Sequence, residues 1–451
     1  MIVYISNVSE DVWPFISSIS QAQAREFEIQ ENANLAERDL FSFPGEDHFL
    51  FVSPRSISRT FLDYYIGLFG NKHLSVSTPK VHTGVICEDI LADDDVMDEI
   101  AIAANGAKRL TLVSYTASPQ FLALVSELRK KGFNVYTPEA PEQEDAWTVN
   151  FFGSKSGIRQ LAQKSAAVEP DFVMADGLVC SGIGDAAKIA AKKYIREKGV
   201  VVKTNKGHSG AGVLIFRQGD LPENYDECEE QIKTTLSRDG YWEKFPIVIE
   251  SFVKENRAVA GGFPNVEFKI AKHGEVEFLY YCALRVTPEG VFKGIEIQDE
   301  AVSDKLGARM MDTGFYVGEQ YASYGYRGYF DVDFVASRNG QLYVTESNTR
   351  RTGGTHVYET TKALFGKNFM TEVYTLSNNI YPLPKRKQIF LENLLNALSP
   401  ILFDKKSKEG LIVASEHILN QGAFSYIIYG QTKKRALAIE EKMEEIVQKL
   451  V

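Results

Sequence analysis

Cysteine is scarce in this sequence: Cys87, Cys180, Cys228 and Cys282 lie far apart, with no CxxC spacing and no neighbouring histidine pair. That excludes a thiolate zinc site and a disulfide framework, and suits reduced, structural thiols in a cytoplasmic protein. Long apolar runs are missing too, since no segment reaches the about 18 uninterrupted residues of a membrane span. The opening MIVYISNVSEDVWPF has no basic n-region of the kind that starts a secretory signal. Nor is there an excess of positive charge: Asp and Glu number 60 against 50 Lys and Arg, a formal net charge of -10. This excludes a protein whose main work is gripping nucleic-acid phosphates. No GxxxxGK loop followed by Ser or Thr, no GxSxG elbow, no HExxH and no EF-hand loop occurs. The run GIGDAA at 182–187 imitates a dinucleotide fingerprint, but the strand after it ends in Lys203, Thr204 and Asn205. A nicotinamide site needs an acidic residue there.

What is present is globular. Hydrophobic residues make up 44% of the 451 and charged residues 24%, enough to fill the cores of roughly two to four cooperating units. Residues 1–148 alternate strand-like runs (Ile2 to Ile5, Phe49 to Val52, Leu110 to Val113, Phe133 to Tyr136) with helical spacing at Phe121, Leu122, Leu124, Val125 and Leu128. This predicts a small open α/β domain, closed off by the connector PEAPEQEDAW. Residues 149–381 hold the longest strand-like runs and predict a core α+β unit, with a flexible central subdomain at about 165–255. The stretch PLPKRK opens a small C-terminal domain or lid, 382–451, with a helix near 391–398, two strands and a closing helix from Lys433.

The chemistry concentrates in GYFDVDFVASRNGQLYVTESNTRRTGGTH, residues 328–356. Two strands joined by the turn SRNG bring Asp333 and Glu346 side by side, and Asn348 follows on the same face. Carboxylate and amide oxygens so arranged suit a hard cation such as magnesium that also holds nucleotide phosphates. Upstream, GVVVKTNKGHSGAGVLIF sets Lys203 at the end of a β-branched strand, before Gly207, His208, Ser209, Gly210 and Gly212 and a second strand. Glycine backbone N–H groups can approach phosphate oxygens closely, and Ser209 adds a hydroxyl.

The spacing D-x12-E-x-N-x-R resembles the metal and phosphate motif of the ATP-grasp superfamily, and the ESNTRRTGGTH run resembles pheganomycin-type peptide ligases with a pre-ATP-grasp N-terminal domain. The resemblance implies an ATP-grasp fold at 149–381 and an ADP-forming ligase that joins a small carboxylate to an amine, amino acids or peptides, through an acyl phosphate. It implies ATP and two Mg2+ ions, for which Mn2+ can substitute, held by Asp333, Glu346 and Asn348. Lys155 and Lys203 match the phosphate lysines, with His208, Ser209, Gly210 and Gly212 in a mobile flap. The strand PIVIESFV matches the hinge where Glu250 and Val253 read the adenine edge, and Glu267, or its competitor Glu255, the ribose hydroxyls. Arg350 matches the arginine that steadies the acyl phosphate, with Arg285 and His356 as further substrate groups. Related ligases are often homodimers. Two departures stand out: Ser154-Lys155 where the family usually has Asp-Lys, and Asp331 where D-alanine ligases carry arginine. The alternatives are a ligase with a non-amino-acid acceptor and a nucleotide-binding protein without turnover.

Overall fold

The computed structural model describes residues 1–450 except 47, 72, 105–108, 208–211, 288–289 and 299–301. In the N-terminal unit, short apolar runs form five strands: β1 (Ile2–Ile5), β2 (His48–Val52), β3 (His73–Ser77), β4 (Arg109–Ser114) and β5 (Asn134–Tyr136). All pair in parallel, in the order β3-β2-β1-β4-β5. The chain therefore leaves β1 for one side of the sheet and returns at β4 on the other. Such a switch point opens a crevice at the strands' carboxyl ends, where α/β sheets bind ligands. Helix Pro119–Lys130 packs on this sheet through the five expected apolar positions, and the Ser118 hydroxyl caps it by accepting from Phe121 N at 2.9 Å. Sequence reading missed β3, whose residues alternate between exposed and half-buried and present no apolar run.

Next come β6 (Gly177–Cys180), β7 (Gly199–Thr204), β8 (Val213–Arg217) and β9 (Ile247–Ser251), an antiparallel sheet ordered β6-β9-β7-β8. Helix Ile183–Glu197 lies on it through Ala186, Ala187, Ala190, Ala191 and Tyr194. Small side chains at helical spacing let the helix axis approach the strands closely. This unit has a core of its own, including Val200, Val202, Trp242, Ile247 and Ile249.

The remaining strands are β10 (Pro264–Ile270), β11 (Val276–Val286), β12 (Phe292–Ile297), β13 (Gly328–Ala336), β14 (Leu342–Glu346), β15 (Tyr374–Pro382), β16 (Gly410–Val413) and β17 (Ala423–Gly430). They form one antiparallel sheet, β14-β13-β10-β11-β12-β15-β17-β16. The residues expected as a C-terminal domain or lid thus contribute two strands to the sheet that carries the motif. Their closing helix, Lys433–Lys449, buries Ala436, Ile439, Met443 and Val447 against it. The two large cores are shared between this sheet and the N-terminal one: Val3 and Ile5 cluster with Phe268 and Phe330, and Tyr4 and Phe49 with Leu376 and Ile427. At the edge, β14 is covered by a short segment in which Val173 O accepts from Val344 N at 2.8 Å and Met174 bridges Val344. Among the described residues no helix is long and apolar enough to cross a membrane.

Because the small sheet has a separate core, damage there should stay local. Ile249→Ala, at a fully buried position, should cost about 2–5 kcal/mol and raise hydrogen exchange across 177–251 while β1, β2 and β4 keep their protection. Equal loss in both regions would show that the cores are coupled.

Candidate active site

Strand alternation puts Asp331 and Asp333 on one face of β13, and the hairpin register pairs Asp333 directly with Glu346 of β14. On the other side of β13, Asn265 of β10 pairs with Asp333. Its Nδ2 donates to Asp333 Oδ1 at 2.7 Å and to Asp331 Oδ2 at 3.1 Å. Asn348 closes the group from the far end of β14: its backbone N donates to Asp331 Oδ1 at 2.7 Å, and its Nδ2 donates to Asp331 Oδ1 at 3.0 Å and Asp333 Oδ2 at 3.3 Å. Arg350 donates from Nη2 to Asn348 Oδ1 at 3.1 Å, from Nε to Asp11 Oδ2 at 2.7 Å and from Nη1 to the Tyr115 hydroxyl at 3.2 Å. Asp11 and Tyr115 follow β1 and β4, so Arg350 ties the hairpin to the switch point of the N-terminal sheet.

Four further cations surround these carboxylates. Helix Lys155–Ser165 starts where Ser154 Oγ accepts from Gly157 N at 3.1 Å, and Asn205, just past β7, accepts at its O from Lys155 N at 3.0 Å. Gly157 is required there, because a Cβ would fall 1.8 Å from the Phe151 carbonyl oxygen. This anchoring delivers Lys155 Nζ to Glu346 Oε2, 2.8 Å away. Lys203 reaches Glu250 Oε2 at 2.7 Å and Thr345 O at 3.4 Å, and Arg159 binds Glu250 Oε1 at 2.6 Å. Lys206 donates to Asn150 Oδ1 at 2.9 Å and lies 3.8 Å from Asp11 Oδ1. Asp11, Lys155, Lys206, Asp333, Glu346 and Arg350 all line one cavity of about 880 Å³.

The electrostatics are those of an anion cluster short of positive charge at one end. Lys155 holds the Glu346 carboxyl well below the usual range, whereas burial, then Asp331 and Glu346, push Asp333 far up. Asp331 is raised by burial and by Glu267. A divalent cation on Asp333 and Glu346 would relieve this repulsion, and the hard oxygen donors fit magnesium, which keeps water and phosphate oxygens as its other ligands. Protein side chains alone do not enclose an ion: among the described residues no three His, Cys, Asp or Glu are grouped to do so. Asn348 Oδ1 would have to give up its Arg350 contact to join.

Several residues expected at the site stand elsewhere. Glu250 cannot read adenine with its side chain, because both oxygens are neutralised by Lys203 and Arg159 and the residue is 4% exposed. Its place is to hold Lys203. Val253 lies half-buried in the irregular stretch after β9, and neither it nor Lys203 forms part of the cavity wall. Glu267 is fully buried and accepts from the hydroxyls of Tyr280 at 2.6 Å, Thr352 at 2.8 Å and Thr355. It fixes the RTGGT segment, and its oxygens are taken before any ribose could reach them. Glu255 turns aside to Arg257, 3.2 Å away. Arg285 points across β12 to Glu440 of the closing helix at 2.8 Å and to Ser377 O at 3.0 Å, so it joins strands to helix and is no part of the cavity wall. His356 is 1% exposed, with neither ring nitrogen hydrogen-bonded among the described residues. Burial, then the nearby Arg38, hold it neutral, and it does not reach the cavity. Gly212 sits at φ +82°, where a Cβ would meet Thr204 Cγ2 at 2.2 Å, so the turn after β7 needs glycine. His208, Ser209 and Gly210 lie outside the described residues.

Sequence reading missed Asp11, Tyr115, Asn265 and Lys206. Asn265 had a signal, two residues before Glu267 on the same strand face, and so did Lys206, the second lysine of KTNKG. Asp11 and Tyr115 had none, because only the tertiary fold brings them to Arg350.

No family model matches the sequence. It is 22% identical over 366 residues to a [butirosin acyl-carrier protein]–L-glutamate ligase of Niallia circulans, covering 79% of this chain and 73% of that protein. Among solved structures, the biotin carboxylase of Campylobacter jejuni superposes with a TM-score of 0.59 at 13% identity, covering 99% of this chain and 94% of that one. An N5-carboxyaminoimidazole ribonucleotide synthetase in complex with ADP gives 0.54 at 10% identity, covering 99% and 96%. Likeness at this level of identity is likeness of fold, and it extends over nearly the whole chain.

Glu250→Gln tests the ion pairs that the fold places under the site. Removing one buried charge leaves Lys203 and Arg159 uncompensated, and should cost about 3–5 kcal/mol in urea unfolding. A variant as stable as the parent would show that the two cations are not balanced by Glu250.

Proposed function

We propose that this chain, an ATP-grasp enzyme of the ADP-forming carbon–nitrogen ligase type, joins an amino acid or peptide carboxylate to an amine through an acyl phosphate. The observation that carries this reading is the in-register pair Asp333 and Glu346, with Asn348, Arg350 and Lys155 converging on one cavity. Binding a nucleotide alone does not require a guanidinium beside the metal-binding carboxylates. Transfer of a phosphoryl group to a carboxylate gains from one, because two anionic reactants must be brought together.

In the first step a carboxylate oxygen of the donor attacks the γ-phosphorus of ATP in line. The bond to the β,γ-bridging oxygen breaks and ADP leaves. Lys155 and Lys206, both on the cavity wall, balance the charge on the phosphate oxygens, and Arg350 orients the donor carboxylate. Magnesium held by Asp333 and Glu346 would supply further neutralisation of the phosphates. In the second step the amine nitrogen attacks the acyl carbonyl, phosphate departs with the C–O bond electrons, and the nitrogen loses a proton. Arg350 faces the oxyanion.

The relative's printed substrate makes L-glutamate the first donor to test. Incubation with ATP, Mg2+ and a panel of amino acids, with and without hydroxylamine, should give amino-acid-dependent ADP, phosphate and hydroxamate. A panel that yields none of the three sinks the proposal. Glu346→Gln should lower kcat at least about 100-fold with an unchanged circular dichroism spectrum. Full turnover in that variant would take the metal role away from Glu346.

A further inference from the structure

The cavity wall supplied by the N-terminal unit carries a guanidinium that the steps above do not use. Arg38 lies in the short 3-10 helix Ala36–Ser42, which follows helix Ala22–Ala33. It is 5% exposed and lines the cavity. Among the described residues its side chain makes no hydrogen bond and no ion pair, and its Nε is buried without a partner. The adjacent Asp39 feels its charge but makes no hydrogen bond to it among the described residues: Asp39 Oδ2 accepts from the hydroxyls of Tyr4 and Ser6, each at 2.8 Å. The nearby His356 is held neutral and supplies no counter-charge. A buried guanidinium whose N–H donors lack acceptors is costly, and acceptor oxygens of a ligand in the cavity would satisfy them.

Its position narrows the ligand. The Tyr115 hydroxyl accepts from Arg350, and Tyr115 feels the positive charge of both Arg350 and Arg38, so the two guanidinium groups lie near one another on the cavity wall. The phosphates have Lys155 and Lys206, and the reacting carboxylate has Arg350. Arg38 is left for an anionic group that takes no part in the chemistry, and a planar guanidinium matches a carboxylate edge to edge. The same wall carries Glu31, half-buried and without an ion-pair partner among the described residues, with Val8, Val12 and Leu35 as its apolar lining. One unpaired cation and one unpaired anion on an apolar wall are complementary to an amino acid.

We propose that Arg38 binds the unreacting carboxylate of the amine-bearing substrate, so that the acceptor is an amino acid or peptide with a free carboxyl group. This rests on the ligase reading and deepens it. The experiment couples an activated donor, starting from L-glutamate, to the twenty amino acids and to their C-terminal amides, beside hydroxylamine as an amine without a carboxylate. The parent should prefer free acids over amides by about 10- to 100-fold in kcat/KM. Arg38→Met should lose that preference and keep its hydroxamate rate within about twofold, since hydroxylamine makes no use of the guanidinium. Arg38→Lys should recover part of it. Equal use of acids and amides by the parent overturns the proposal, and so does an equal fall of hydroxamate formation and coupling in Arg38→Met. A parent that forms no amino-acid-dependent ADP overturns the ligase reading as well, which separates the two failures.

Discussion

The structure is organised around the cost of burying carboxylates next to one another. Asp331, Asp333, Glu346, Glu250 and Glu267 lie within a few strands of each other, and each needs a cation or a set of donors that water no longer provides. The fold answers each from a different direction. Glu346 takes Lys155 from a helix start, Glu250 takes Lys203 and Arg159, Glu267 takes three hydroxyls, and Asp331 takes the amides of Asn265 and Asn348. Asp333 is left with amide donors between two like-charged neighbours, Asp331 and Glu346, and there a metal ion has the most to gain.

Three units meet at this balance. The N-terminal sheet contributes the ends of β1 and β4, the small sheet contributes the strand pair on either side of the glycine turn, and the large sheet contributes the hairpin. The first and last share their hydrophobic cores, and the small sheet keeps its own. The small and N-terminal units still touch, since Tyr241, packed against the small sheet's core, sets its ring on Phe15 of the N-terminal unit with centroids 5.2 Å apart. The carboxylates and Arg350 thus hold their register on elements that share a core, while Lys203 comes from a strand of the unit with its own.

How much of this was legible depended on distance along the chain. Asp333 and Glu346 were readable because one hairpin fixes their pairing, and helix Pro119–Lys130 because its apolar positions repeat within three turns. The strand β3 was not, since its alternation is polar with half-buried. For Glu267 the strand face was right and the inference wrong, because alternation tells which side a residue faces and not what covers that side. The RTGGT segment, from a strand pair further on, lies over it. Arg285 and His356 went astray for the same reason: Glu440, which binds the one, and Arg38, whose charge helps keep the other neutral, belong to remote segments. Asp11 and Tyr115 meet Arg350 only because the parallel sheet turns the segments after β1 and β4 toward it.

The hairpin that carries the chemistry is also the border of the large sheet. An outermost strand offers unpaired N–H and C=O groups to any extended chain that comes near, including another copy of itself. Here Val173 and Met174 occupy that place along Val344. They belong to the stretch between helix Lys155–Ser165 and β6, so the same segment that leads into the small sheet shields the border. The protein's resistance to edge-to-edge association is therefore tied to a few residues of connecting chain, and whatever loosens that connection exposes the strand that ends in Glu346.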